Sequence, residues 1–211
     1  MEPKKRMTAG WFLAAFTLAS VGLAGIDFKE GLGLRQLGER RVAAKSAAEV
    51  LPLWPAASRA IAAQLMDKYG APDAVEEDGM VWRRRGDWLW IAVHRDIDFS
   101  KGYGCLQHAV RYETPIGRWR DLDTLAIGVQ YEPIGEVLTA ASDSEAANIL
   151  ALNLAVDVVE GRLSAGQARA LHAKTLDLAL SGKSSASMRK LLFKPARRPK
   201  PRQPGQLWPM P

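Results

Sequence analysis

Apolar positions follow three regimes along this chain. From Trp11 to Ile26 they run almost unbroken, interrupted by Thr17, Ser20 and glycines. From about residue 80 to 141 they come in short alternating bursts divided by Gly, Pro and Asp. From 143 to 180 they recur at helical spacing, and beyond 194 they give way to proline and basic residues. Alternation at period two marks strands; recurrence near 3.6 marks helices.

The alternating region predicts two hairpins. Residues 80–84 and Trp88–His94 read as strands joined at Arg85-Gly86-Asp87. Trp88, Trp90 and Ala92 then share one face, and Leu89, Ile91 and Val93 the other. Both faces are apolar, so this strand is expected to be central or covered on both sides. A third strand is expected at 106–112, after a loop at 97–104 with two glycines. A short helix is expected next, at 115–125. Residues 128–131 and 136–141 form a second hairpin turning at Pro133-Ile134-Gly135.

Three helices are predicted around these strands. Pro55 opens one that Gly70 closes, with Ala57, Ile61, Leu65 and Met66 as its buried stripe. Ser142, three residues before Glu145, is expected to cap the stretch "DSEAANILALNLAVDVVEG". Ser164 starts a third helix that ends before Gly182. The short link between the last two predicts a helical hairpin. Without βαβ alternation the class is α+β, an antiparallel sheet of about five strands packed against a C-terminal helical hairpin. The expected domains are an N-terminal segment at 1–28, a linker with a short helix at 29–53, the α+β domain at 54–182 and a basic Pro-rich tail at 183–211.

The opening apolar run has 16 residues, behind Lys4, Lys5 and Arg6. Trp11, Phe12, Leu13, Phe16, Leu18, Val21, Leu23 and Ile26 are its large apolar members. It is short for a full span and long for a signal-peptide core. Retained, it is a membrane anchor; Gly22-Leu23-Ala24 also offers a cleavage site before Gly25. Either reading places the rest of the chain on the extracytoplasmic side, tethered to the cell membrane or released as a soluble periplasmic or secreted protein, because positive flanks stay inside.

Charge changes the picture more than composition does. The net charge is +6, yet residues 183–211 hold eight basic residues and no acidic one. The rest of the chain is therefore −2, and without the basic N-terminus residues 7–182 are −4. A mildly acidic domain is a poor phosphate-backbone binder, so no nucleic acid partner is expected. The tail, with six prolines after Lys194, is expected to be extended and solvated, with anionic lipid or cell-wall polymer as a contact its charge allows.

The chemistry-bearing residues are few. One cysteine, Cys105, makes neither an intramolecular disulfide nor a thiolate cage. "HRD" at 94–96 lacks the downstream Asn of a kinase catalytic loop, and "SGKSS" at 181–185 has Asp177 where a phosphate loop needs Gly. His94, His108 and His172 carry no metal-ligand spacing, so no metal or cofactor is expected. The polar Asn148, Asn153 and Asp157 within an apolar helix are expected to tie it to its neighbours.

The segments "MDKYGAPDAV", "MVW", "IAVHRD" and "SEAANILALNLAVDVVEGRLSAGQARALH" resemble a family of exported bacterial proteins without an assigned activity, over about residues 54–175. The resemblance implies export and carries over no catalytic residue. The chain departs from that pattern in its 101–104 loop and its tail. A helix ending in Y-G-x-P before a Trp hairpin is also similar to envelope-assembly lipoproteins of the BamE kind, but the lipid-bearing Cys is absent here.

The functional expectation is a membrane-tethered, extracytoplasmic, non-catalytic domain that serves a complex of envelope or membrane proteins. Trp and Arg most often carry interface energy. The expected contacts are therefore Trp88, Trp90, Arg83, Arg84 and Arg85, with Arg197, Arg198, Lys200, Arg202 and Trp208 of the tail. The competing expectation is an envelope hydrolase using His94, Asp96, His108 and Cys105, or a small-ligand carrier with a large apolar pocket.

Overall fold

The computed structural model describes residues 46–96, 104–115 and 117–196. The expected membrane segment, most of the linker, the 97–103 loop with Asp98, and the contact residues Arg197, Arg198, Lys200, Arg202 and Trp208 lie outside the described residues.

Strands β1 (Ala74–Val75), β2 (Gly79–Arg85), β3 (Trp88–His94), β4 (Leu106–Arg111), β5 (Val129–Glu132) and β6 (Val137–Ser142) form one sheet. Its order is β1-β2-β3-β4-β6-β5, with every pairing antiparallel. The sixth strand, β1, has no counterpart in the sequence pattern; two residues are too few to show alternation. β3 is central, as its two apolar faces require. The β2–β3 turn is a two-residue loop whose first residue, Gly86, has φ 61°. That is the glycine position of a type II′ turn, whose twist matches the strands. At the second hairpin the Glu132 carboxylate accepts from the Ile134 and Gly135 N–H groups, both at 2.6 Å.

The helices are α1 (Ala47–Val50), α2 (Ala56–Tyr69), α3 (Arg120–Asp123), α4 (Glu145–Val159) and α5 (Ala165–Leu180). α2 packs on β2 and β3, and α4 on β4, β5 and β6. Both cover the sheet face that carries Trp82, Ile91, His108 and Ala140 in one row. α5 packs on α4, so α4 is enclosed between the sheet and an outer layer. Every residue from 148 to 159 except Asp157 is buried, as its all-round apolar sequence demands.

Three local expectations change. Ser144, not Ser142, caps α4, and its side chain accepts the Ala147 N–H. Ser142 still pairs with Leu106 in β6, so the chain needs two more residues to leave the sheet. α2 buries Ser58, Ala62 and Leu65, whereas Ala57 is exposed and Ile61 and Met66 are half-buried. Ser58 is tolerated inside because its hydroxyl lies 2.7 Å from the Arg95 carbonyl it donates to. The helix expected over 115–125 shrinks to α3, preceded by a turn with Gly117 at φ 84°.

Candidate functional site

The hairpin expected to make contacts divides between the inside and the surface. Trp88 is buried, with 8% of its surface exposed. Its indole N–H donates to the Tyr69 hydroxyl at 3.2 Å and its ring meets His108 at 4.5 Å. It is a core residue, and this corrects its expected place beside Trp90. The break in alternation has a visible seat. Trp82 and Arg85, three residues apart, both donate to backbone carbonyls at the end of α2. Strict alternation would put them on opposite faces. Arg84 between them has φ 54°, a left-handed conformation that re-aims the strand.

Arg85 is likewise committed. It donates to the Tyr69 and Arg83 carbonyls and pairs with Asp73 at 3.1 Å. Asp73 in turn accepts the Arg83 backbone N–H. That N–H and the Arg85 guanidinium hold the Asp73 carboxyl below its usual range. Together they seal both backbone groups of Arg83 where β1 has already ended, so this edge offers no template for another strand. The side chains of Arg83 and Arg84 remain exposed.

Beneath α4 lies a polar cluster the sequence did not announce. Asn148, fully buried, donates through Nδ2 to the Leu106 carbonyl at 2.9 Å and to His108 Nδ1 at 3.0 Å. A carbonyl accepts only from the amide nitrogen, so the orientation of Asn148 is fixed. His108 Nδ1 is then the acceptor, and Nε2 carries the proton. Burial pushes the His108 pKa down to about 4, a shift that Lys68 reinforces and Glu145 opposes. His108 is thus neutral at pH 7, and its 4.0 Å approach to Glu145 is not an ion pair. Glu145 instead accepts from Tyr69 Oη at 2.6 Å and Lys68 Nζ at 2.7 Å. Burial raises its pKa, but those two bonds outweigh burial and hold the carboxyl below its usual range.

The other polar residues of α4 hold the chain together. Asn153 donates to the Ser187 and Lys190 carbonyls and accepts the Leu192 N–H at 2.7 Å. It clamps the segment 185–196, whose Met188, Leu191 and Phe193 pack on the core. Asp157 pairs with Arg162 at 2.6 Å in the turn between α4 and α5.

The structure sets two residues of the hydrolase expectation side by side, His94 donating its backbone N–H to the Cys105 carbonyl at 2.8 Å, and leaves His108 apart from them. His108 pairs with Ile91, whereas His94 lies three residues further along β3 and on the opposite face. That is a separation of about 10 Å along the strand. Cys105 is buried, and burial together with Asp143 pushes its thiol pKa up, away from the nucleophilic thiolate. His172 lines a separate cleft of about 290 Å³ with Gly128, Asp143 and Leu176. A second cleft, about 150 Å³, lies against Lys68, Leu106 and Glu145. Both are smaller than ordinary small-molecule sites. Among the described residues no group of His, Cys, Asp and Glu could hold a metal ion.

The second face of the sheet is a distinct surface. Val81, Ala92, Ala109, Val137 and Ala141 are buried there, yet none belongs to the core under the helices. Trp90, half-buried, stands opposite Arg83 on one side and Ala109 on the other. Directly opposed residues have Cβ atoms about 5 Å apart, which sets the indole beside the alanine. Among the described residues no helix packs on this face. Arg83 marks its β2 end; Glu132 marks its β5 end. Composition gave the excess of Trp but not which of them faces outward.

No family model, curated protein sequence or solved structure matches this chain. Among the described residues no helix is long and apolar enough to cross a membrane.

Proposed function

We propose that the chain is a non-catalytic interaction domain, tethered to a membrane through its first 28 residues and facing the extracytoplasmic side. There it serves as an accessory subunit of an envelope or membrane protein complex. The observation that supports this reading is the sheet face on which no described helix packs, with Trp90 at its centre and Arg83 at its margin. Flat, partly apolar surfaces anchored by Trp and Arg are where binding energy concentrates. The tether rests on the basic cluster and apolar run at the N-terminus.

The test uses the full chain with Trp90→Ser or with Thr139→Arg, Thr139 standing opposite Ala109 on the same face, each first shown to retain the wild-type thermal unfolding curve. The proteins are purified from gently solubilised membranes beside the wild type. Loss of the same co-purifying envelope protein from both variants is expected. Retention of every partner by both overturns the docking face, and recovery of the full-length chain in the soluble fraction overturns the tether.

A further inference from the structure

The open face has a candidate occupant within the chain itself. The last described residue, Ala196, donates its N–H to the Arg111 carbonyl at 2.9 Å. Arg111 ends β4 in the row opposite Val137, on the same face as Ala109. The clamp at Asn153 therefore delivers the chain to the rim of this surface, two strand residues and one strand spacing from Trp90.

Fifteen residues remain beyond it, 197–211. Extended as a proline-rich helix they reach about 46 Å. The whole sheet, five spacings at about 4.8 Å, is about 24 Å wide. Charge is matched along the path. Arg197, Arg198, Lys200 and Arg202 come first. They leave a rim where Glu132 and Glu136 lie beside the end of β4, near the Arg111 guanidinium, which turns to the Gly135 carbonyl. The remainder, "QPGQLWPMP", is uncharged and carries Leu207, Trp208 and three prolines. Proline-rich segments dock on exposed aromatic surfaces because little conformational entropy remains to be lost.

We infer that the tail docks back across the open sheet face, its basic half on the acidic rim and its apolar half over Trp90, and so shields this face until a partner displaces it. The displacement rests on the function proposed above; the docking does not. An affinity near 1 mM is sufficient, because a short tether supplies an effective concentration on the order of 1 mM, which leaves roughly half the molecules closed.

The experiment needs no partner. A nitroxide is attached at Gln206→Cys in a Cys105→Ser background of the full chain, in detergent micelles and in lipid nanodiscs containing anionic lipid. Methyl signals of Ala92, Ala109 and Ala141 are followed. Loss of about half their intensity or more, relative to the reduced label, is expected. Reversal of Glu132 and Glu136 to Lys should restore most of it. Unchanged methyls overturn the inference, including the outcome in which the tail binds anionic lipid instead. Attenuation spread evenly over both sheet faces overturns it too. Attenuation confined to the open face, with partner capture indifferent to Trp90→Ser, upholds the docking and sinks the proposed function.

Discussion

The two faces of this sheet are built from the same strands by opposite means. Under the helices the row Trp82, Ile91, His108, Ala140 meets α2 and α4, and side chains of full size fill the gap. On the other face the row Val81, Ala92, Gln107, Ala141 has no helix above it among the described residues, and Val81, Ala92 and Ala141 are buried outside the core under the helices. One face is packed against described helices, and the other is not. The stability of the domain should therefore lie on the first, and its capacity for recognition on the second.

Paired tryptophans make the sharpest break. Trp82 is fully buried and donates to the Gly70 carbonyl at 2.8 Å. Trp82→Ala should cost about 3–5 kcal/mol in denaturant unfolding, the usual range for a core aromatic. Trp90→Ala should cost about 1 kcal/mol or less. Equal losses would show that the open face is covered in the folded protein by something of core-like tightness.

The next effect belongs to the single imidazole under the helices. His108 titrates near pH 4 when folded, against 6.5 for an ordinary histidine. The unfolded chain therefore binds more protons between those values. His108 contributes stability fully present above pH 6.5 and lost as the pH falls to about 4. The loss is roughly 3 kcal/mol. Burial also lowers the His172 pKa, which tilts the curve the same way. The decisive measurement is the difference between wild type and His108→Gln, whose amide can still accept from Asn148. Stability curves that stay parallel from pH 7 to 4 would mean that His108 takes up its proton in the folded protein as readily as in the unfolded chain.

A smaller effect tests the outer layer. Asn153→Ala removes three hydrogen bonds to the 185–196 segment and should cost about 2 kcal/mol. The Leu192 amide should then exchange with solvent at the rate of an open loop while the strands stay protected. If the strands lose protection as well, the segment is an integral part of the core rather than a strap on it.

How much of this was legible depends on the period of each signal. β3 showed itself because both its faces carry apolar residues, β4 because its residues alternate, and the two hairpins because glycine and proline divide them. α4 was legible as an apolar helix. The partners of Asn148 and Asn153 were not, because they lie 34 to 42 residues away in the chain and all but the His108 ring are backbone groups. The buried face of α2 was hidden for a similar reason, since Ser58 is paired by Arg95 from beyond β3. Trp88 was misplaced because a positive φ at Arg84 shifts the alternation, and arginine gives no warning of it.

That shift yields the smallest and most local prediction. A non-glycine residue in the left-handed region costs about 1–2 kcal/mol. Glycine removes the cost but loses about 0.5–1 kcal/mol through the freer unfolded chain. Arg84→Gly should therefore stabilise the domain by about 0.5 kcal/mol. Arg84→Val, whose branched side chain tolerates this region worst, should destabilise it by about 1 kcal/mol or more. The sign difference is what matters, since both variants remove the same exposed charge. If the two variants unfold alike, the backbone at Arg84 is not held in the left-handed region. The change of face between Trp82 and Arg85 would then have to arise elsewhere in the hairpin, and the boundary between the covered and open faces would move with it.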